Sequence, residues 1–464
     1  MTTESFADII RPGAKRGLDF VTLEELRKRT GIMPDEVLKF ATAEMLPNAL
    51  DTDATMFDVT TEALGEYVKL TVRDNGTKRL SLEDVKLILD FENKASSKRG
   101  FLGVSRGYLG NALKCIIGYC YALAKDKGFT PPEVIIESGS NRYTINLKVD
   151  RIREAIDSDI KVSRRNDTEY TTFTIQIPAN PQISNPTTLR DIVFATSMVN
   201  PNRLIRYRFF DNVKGSLGVA TENGRASKQQ TSVLWYKQKQ FEGLFNDFLR
   251  ARPDTKLKDF IALFRGFRRK NVIGDILHKV NASNHDSDTV KNVQFVPATP
   301  IARLTTKNII QLFHIMRSIA KPISKRSISA VLGCVGKEAF EQLRERHGWK
   351  RLRYVKIPCF RVECPDAYHY NPFQYDACTN PDHVEFPYLI ELAVFDREND
   401  NKGLKVYQCV NFMASMEDIF SRIFNINYRL GRVGITKDMP VTVLLHLVCP
   451  VLKWLNYGKS GLDE

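Results

Sequence analysis

"MPDEVLKFATAEMLPNALD", residues 33 to 51, is the stretch whose reading decides the fold. Pro34, Asp35 and Glu36 are first-turn residues, since proline has no N–H to lose there and acids favour a helix N-terminus. Val37, Leu38, Ala41 and Met45 then recur at helical spacing, so a helix is predicted over 34–46. At about 100° per residue, Glu44, Asn48 and Asp51 fall within roughly 60° of one another. One explanation is a half-exposed polar stripe. The other is a site that needs a carboxylate base beside an amide oxygen. A Mg²⁺ ion bridging phosphates takes oxygen ligands of the Asn type, and a carboxylate next to it can deprotonate an attacking water. Pro47 lies inside this segment and is expected to kink or end the helix.

Working outward, "VKLTVRDNGTKRLSLEDV" (68–85) reads as a strand, a turn at Asn75-Gly76, and a helix opening near Ser81 with Glu83 and Asp84 in its first turn. Asp74 ends the strand. A carboxylate there can accept a hydrogen bond from an adenine amino group while the Gly76 backbone passes close by. Next comes "SSKRGFLGVSRGYLGNALKCIIGYCYAL" (96–123), where Gly100, Gly103, Gly107 and Gly110 crowd a loop that also carries Lys98, Arg99 and Arg106. The loop runs into an apolar helix. Glycines, basic side chains and a helix N-terminus together make an anion cradle. The spacing is not that of a P-loop, and no strand precedes it as a dinucleotide fold requires.

The three stretches form a set: Glu44-x3-Asn48-x2-Asp51, Asp74-x-Gly76, and "SRGYLGNALK" (105–114). The set resembles the ATP site of the gyrase, histidine kinase and MutL ATPase superfamily (GHKL), and within it the B subunit of DNA topoisomerase VI and its bacterial relatives. The resemblance implies an α+β fold: a GHKL α/β sandwich, a helical insert and a transducer-like domain, with expected boundaries at 1–210, 211–350 and 351–464. It implies ATP and Mg²⁺ as cofactors, Glu44 as general base, Asn48 as metal ligand with Asp51 beside it, and Asp74 with Gly76 as the adenine site. Gly107 and Gly110 would belong to the phosphate lid, with Lys98 and Lys114 as candidate phosphate contacts. In "TEYTTFTIQIP" (168–178), either Thr171 or Thr172 would support the adenine-binding Asp. Pro47 stands where the family is usually acidic, and Ala112 where a third lid glycine is common.

The likeness continues through "FATSMVNPNRLIRYRFF" (194–210) as the strand closing the ATPase domain, and 300–343 as the helical insert. "PYLIELAVFD" (387–396), "VYQCVNFMAS" (406–415) and "VTVLLHLVCPVLKWLNYGKS" (441–460) are similar to transducer strands ending in a switch-lysine loop. On that match Lys459 would reach the γ-phosphate, since a lysine carries a compact charge on a long stem. The function so implied is ATP binding and hydrolysis that closes a dimeric clamp on DNA, with a topoisomerase A-type cleavage subunit as a candidate partner. The alternative is a stand-alone ATP-switched DNA clamp without strand passage. The long transducer helix that would join a cleavage subunit would lie beyond residue 464, so on this expectation either the chain is shortened or it works without that partner.

Composition is compatible with this. The chain has 464 residues, 43% hydrophobic and 26% charged, enough for a real core in two to four domains. No apolar run approaches the roughly 18 residues of a spanning helix. The first residues lack a secretion pattern, and the eight cysteines are scattered as in a reduced, cytoplasmic protein. The net charge of +14 favours a polyanionic partner. It is concentrated in residues 252–279, with eight basic side chains against three acidic, and in 344–361, with seven basic against Glu345. Both are solvated faces or nucleic-acid surfaces, and two such patches favour DNA. Cys359, Cys364, Cys378 and His383, with His369 nearby, are a rival constellation for zinc, but the spacing lacks the usual tight pair.

Helices are predicted near 23–30, 81–90, 108–125, 237–250, 256–268, 306–318, 337–346 and 415–423. Strands are predicted near 67–73, 133–138, 142–148, 170–177, 203–210, 387–395, 404–410 and 440–449. Linkers are expected at 178–187 and 281–300, both rich in turn residues.

Overall fold

The structure is a computed structural model. It describes residues 16–92, 100–104, 111–150, 152–153, 155–179, 185–221, 230–284, 294–363, 384–398, 403–416, 418–419, 425–452, 454–456, 459 and 462. In chain order the first part holds α1 (Leu23–Thr30), α2 (Val37–Leu50), β1 (Met56–Leu64), β2 (Tyr67–Asp74), α3 (Leu82–Ile88), α4 (Ala112–Asp126), β3 (Val134–Ser138), β4 (Asn141–Asp150), β5 (Ala155–Arg164), β6 (Thr171–Pro178), α5 (Pro186–Met198), β7 (Leu204–Phe209) and β8 (Val213–Leu217). Its eight strands form one mixed sheet, ordered β5-β4-β3-β6-β2-β1-β7-β8, in which only β1 and β7 pair in parallel. Helices α2, α4 and α5 pack on one face.

α2 is not an amphipathic surface helix. Twelve of its fourteen residues are buried, Glu44 among them, because it lies between the sheet and the neighbouring helices α4 and α5. Pro47 neither kinks it shut nor ends it. The helix runs on to Leu50, and the Asp51 amide donates to the Pro47 carbonyl at 3.0 Å. Proline costs the helix its own N–H, but tertiary burial of Phe40, Leu46 and Leu50, each worth roughly 1.5–3 kcal/mol, outweighs that loss. The Arg203 guanidinium caps the far end by donating to the Leu50 carbonyl.

The chain then builds α6 (Gln238–Ala251), α7 (Leu257–Ile261), α8 (Lys270–Asn284), α9 (Thr306–Ile319) and α10 (Ile328–Leu332) around an aromatic core, and α11 (Lys337–Arg346), whose Phe340 and Leu343 join the core of the first part. Phe241 sits 5.0 Å from Phe313 and 5.6 Å from Phe264, ring centre to ring centre. The single helix predicted over 256–268 is instead short α7, followed by turns and then α8. Gly266 takes φ +90°, which the helix cannot. The last part adds β9 (Arg351–Glu363), β10 (Val384–Asp396), β11 (Lys405–Val410), β12 (Met413–Ala414), α12 (Ile426–Arg432) and β13 (Val441–Val448). These strands form a second mixed sheet, β12-β11-β13-β10-β9. Two mixed sheets and twelve α-helices among the described residues make an α+β protein. No helix among the described residues is long and apolar enough to cross a membrane.

Some expectations need correction. The first sheet does not stop at 210, because β8 pairs back on β7. The expected 178–187 linker overlaps α5 only in its last two residues, and 180–184 lie outside the described residues; the start of α5 is signalled by Asn185, whose side chain accepts the Thr187 amide at 3.0 Å, with Pro186 in the first turn. β1, β5 and β9 also went unread in the sequence. The helix predicted near 415–423 lies largely outside the described residues, and the next described helix is α12. The second sheet docks through α5: Phe194 meets His347, Trp349 and Tyr407, and Asn200 donates to the Phe412 carbonyl at 2.6 Å.

Candidate functional site

β2 alternates strictly, with Val68, Leu70, Val72 and Asp74 facing the helices. The pleat therefore puts a carboxylate where the next core aliphatic belongs. Burial pushes the Asp74 carboxyl up from its usual range, against the pull of the Gly76 amide and of Arg79. That amide donates to Asp74 Oδ1 at 2.9 Å. A Cβ at position 76 would stand 2.8 Å from both Asp74 Oδ1 and Thr52 Oγ1, so only glycine fits without displacing them. The turn is pinned further. Asn75 Oδ1 accepts the Thr55 and Met56 amides at 2.9 Å each, and Asp53 accepts the Thr77 amide at 2.8 Å.

Strand pairing separates the two threonines that the sequence left open. Thr171 is opposite Asp74 and lines the same cavity, whereas Thr172 is opposite Arg73 and faces the other side of the sheet. Thr171 Oγ1 lies 3.0 Å from the Ser138 hydroxyl, which accepts the Leu80 amide at 3.0 Å. Sequence reasoning missed Ser138. The signal was there in β3, where Val134, Ile136 and Ser138 share the inward face.

Between α2 and this strand end lies a cavity of about 190 Å³. Its walls are Met45, Ala49, Val72, Leu80, Ile88, Leu113 and Phe173, and its polar edge is Asn48, Thr52, Asp74, Lys78 and Thr171. The volume is below the roughly 300 Å³ of typical ligand pockets, so it suits the flat end of a ligand whose remainder extends outward.

One turn before the exposed Asn48, Glu44 is buried at 1% exposure. Its Oε2 meets the Lys459 ammonium, 415 residues away in the chain. Lys114, also buried, donates to the Asp90 carbonyl, and burial lowers its pKa despite the pull of Asp90. Glu44, Lys114 and Lys459 all lie within electrostatic reach of the Cys115 thiol, which burial pushes up to about 12. Arg29 acts on the same thiol, so these charged groups lie in the neighbourhood of the start of α4. Asp51 stands apart: it is exposed at the end of α2, beside Arg203, and does not line the cavity. The expected common face for Glu44, Asn48 and Asp51 therefore splits into a buried and two exposed members.

Lys98, Gly107 and Gly110 lie outside the described residues, as do Cys364, His369, Cys378 and His383. Of the zinc constellation only Cys359 is described, part-buried in β9. Among the described residues no group of three or more His, Cys, Asp or Glu converges on a metal position. The basic stretch 252–279 presents Lys258, Arg268, Arg269, Lys270 and Lys279 to solvent, while 344–361 runs largely along edge strand β9.

A second buried ionisable cluster was not foreseen. Glu391 of β10 accepts the Val335 and Gly336 amides at 3.0 and 2.9 Å, the Tyr354 hydroxyl at 2.7 Å, and a hydrogen bond from His446 Nδ1 at 3.0 Å. His446 Nε2 accepts the Phe412 amide at 3.1 Å, which leaves the proton on Nδ1. This cluster ties the helical insert to the second sheet.

No family model and no curated protein sequence matches the chain. A solved structure described as the crystal structure of the N-terminal domain of a DNA repair protein is similar, at 9% identity over 97% of this chain and 91% of that chain, with a TM-score of 0.37. A likeness that slight bears neither on fold assignment nor on function.

Proposed function

We propose that the chain is a Mg²⁺-dependent ATPase of the GHKL type, resembling the B subunit of topoisomerase VI, in which nucleotide binding drives a dimeric clamp closed on DNA. What supports this reading above all is one cavity that gathers Asn48, Asp74 and Thr171, with Glu44 and Lys459 meeting beside it. The residues suit a nucleotide. Gly76 leaves the space that a side chain would fill, and Asp74 has a carboxylate oxygen for an adenine amino group. The apolar walls suit the faces of a base. Asn48 would hold Mg²⁺ by its amide oxygen, the remaining ligands being phosphate and water oxygens, as small protein shells for this ion usually require. Bound Mg²⁺ would neutralise charge on the phosphates.

The other steps belong to the chain. Lys114 and the N-terminus of α4 favour an anion at the phosphate end. Glu44, buried beside the metal ligand, takes the proton of the attacking water. Lys459 holds the Glu44 charge until a phosphate competes for it, which couples the second sheet to the state of the nucleotide.

The test is equilibrium binding of a non-hydrolysable ATP analogue with Mg²⁺, followed by sedimentation with and without DNA. Wild type should bind, dimerise with the analogue and retain DNA. Asp74→Asn should weaken analogue binding at least tenfold, about 1.4 kcal/mol. Equal binding by wild type and Asp74→Asn would sink the assignment of the site.

A further inference from the structure

The other face of the first sheet carries a second constructed surface. Cross-strand register aligns Arg142, Glu137, Thr172, Arg73, Asp58 and Arg206 in a single row across six strands. The next row reads Thr144, Ile135, Thr174, Thr71, Thr60, Arg208 and Lys214. At about 4.8 Å between strands, the first row spans roughly 24 Å. A concavity of about 480 Å³ lies over these rows, with Arg165 and Tyr170 on its rim.

The charges there do not pair one to one. Asp58 accepts Arg206 at 2.6 Å and lies 3.9 Å from Arg73. Glu62 takes Lys69 at 2.6 Å and Arg208 at 3.5 Å. Glu137 takes Arg165 at 2.7 Å and Arg142 at 3.3 Å. Six basic groups share three carboxylates, and Glu133, in the row of Glu62 and Lys69, leaves a surplus of two positive charges. Arg208 also reaches Asp211 in the hairpin turn at 3.7 Å, where Lys214 offsets it. An ordinary solvated sheet face balances its ion pairs. Here each carboxylate fixes two cations and can neutralise only one, so the guanidinium groups are held in place with charge to spare. Arg73 is further set by stacking 3.5 Å over the Tyr170 ring. Fixed guanidinium groups and a line of threonine hydroxyls are phosphate donors.

We infer that this face binds the phosphate backbone of a single nucleic-acid strand. The occupant is an extended chain of phosphates because the cationic groups recur along a row. It is a single strand because the two rows lie only about 7 Å apart along the strands, two residues at roughly 3.4 Å each, which matches one sugar-phosphate ribbon. The surface is separate from the nucleotide cavity, on the opposite side of the sheet, so either assignment can fail alone.

The test is fluorescence anisotropy of the full chain with a labelled oligothymidylate of about 20 nucleotides and with a duplex of the same length, over a salt series. Arg206→Ala/Arg208→Ala should weaken single-strand binding on the order of tenfold and reduce the salt slope by about 1.4, the share of two phosphates. Lys214→Glu, on an exposed edge strand, should shift binding the same way and decides the matter if the double variant melts early. Lys325→Ala/Arg326→Ala, exposed and outside both basic patches, should leave the oligothymidylate slope unchanged. Unaltered single-strand binding in both sheet variants would overturn the inference. So would tighter binding of the duplex, or equal competition by polyglutamate.

Discussion

Glu44 and Glu391 are both fully buried carboxylates, and the fold treats them in opposite ways. Glu391 sits in the middle of a strand and is met by two backbone amides, a phenol and an imidazole, all fixed by the second sheet and the turn before α11. Burial alone would raise its pKa. The hydrogen bonds from His446 and from the two amides outweigh that and hold it down to about 2. Glu44 sits on a helix between two layers and faces the ammonium of a residue from the far end of the chain, Lys459, itself in the left-handed region at φ +56°. A carboxylate bound by local amides is a structural tie. One met by an ammonium on a long side chain can be released, as the base role proposed above would require.

The sharpest way to break this comparison is Glu44→Gln. Turnover should fall by about 10²–10⁴-fold while analogue binding changes little, since general-base catalysis contributes on that scale. A steady-state ATPase assay with parallel binding measurements reads it. If Glu44 were a tie like Glu391, stability would drop and turnover per folded molecule would hold.

Glu391→Gln should do the reverse. It puts an amide where a carboxylate accepts hydrogen bonds from two backbone amides, a phenol and an imidazole, and should lower the unfolding free energy by about 3 kcal/mol in urea at neutral pH, with turnover of the folded fraction unchanged. The pH dependence follows with a definite sign. A depressed carboxylate pKa contributes stability that is complete above about 4.5 and is lost as pH falls through the window down to about 2. Wild type should therefore lose on the order of 3 kcal/mol more than Glu391→Gln across that window.

The smallest expected effect is at Asp74. Burial raises its pKa, so ionised Asp74 disfavours folding at neutral pH and relaxes as pH falls. Asp74→Asn should leave the melting temperature equal or higher by a degree or two, within about 1 kcal/mol, while impairing the analogue binding described above. A large loss of stability would instead make Asp74 a structural residue.

Much of the site was legible because its signals are local. Asp74 interrupts an alternating apolar strand, and Gly76 follows at the one spacing that admits it. What was misread depended on contacts far away in the chain. Pro47 reads as a helix breaker, yet α2 continues because both sides of it are buried. Glu44, Asn48 and Asp51 share an angular sector on a helical wheel, yet the packing of α4 and α5 buries the first and leaves the other two exposed. Glu391 and His446 look like ordinary strand residues, since their pairing joins positions 55 apart. The Arg-rich open face was invisible for the same reason, because its rows run across strands while the sequence runs along them.

The sequence by itself determined the inward row of β2 and the glycine at the turn, both set by backbone chemistry within a few residues, and the surplus of positive charge, set by composition. Only the tertiary structure decided which threonine joins Asp74, that Lys459 meets Glu44, and that six cations share three carboxylates on one sheet face. Those outcomes depend on strand order and register, which are fixed by burial of whole faces and not by any single stretch of chain.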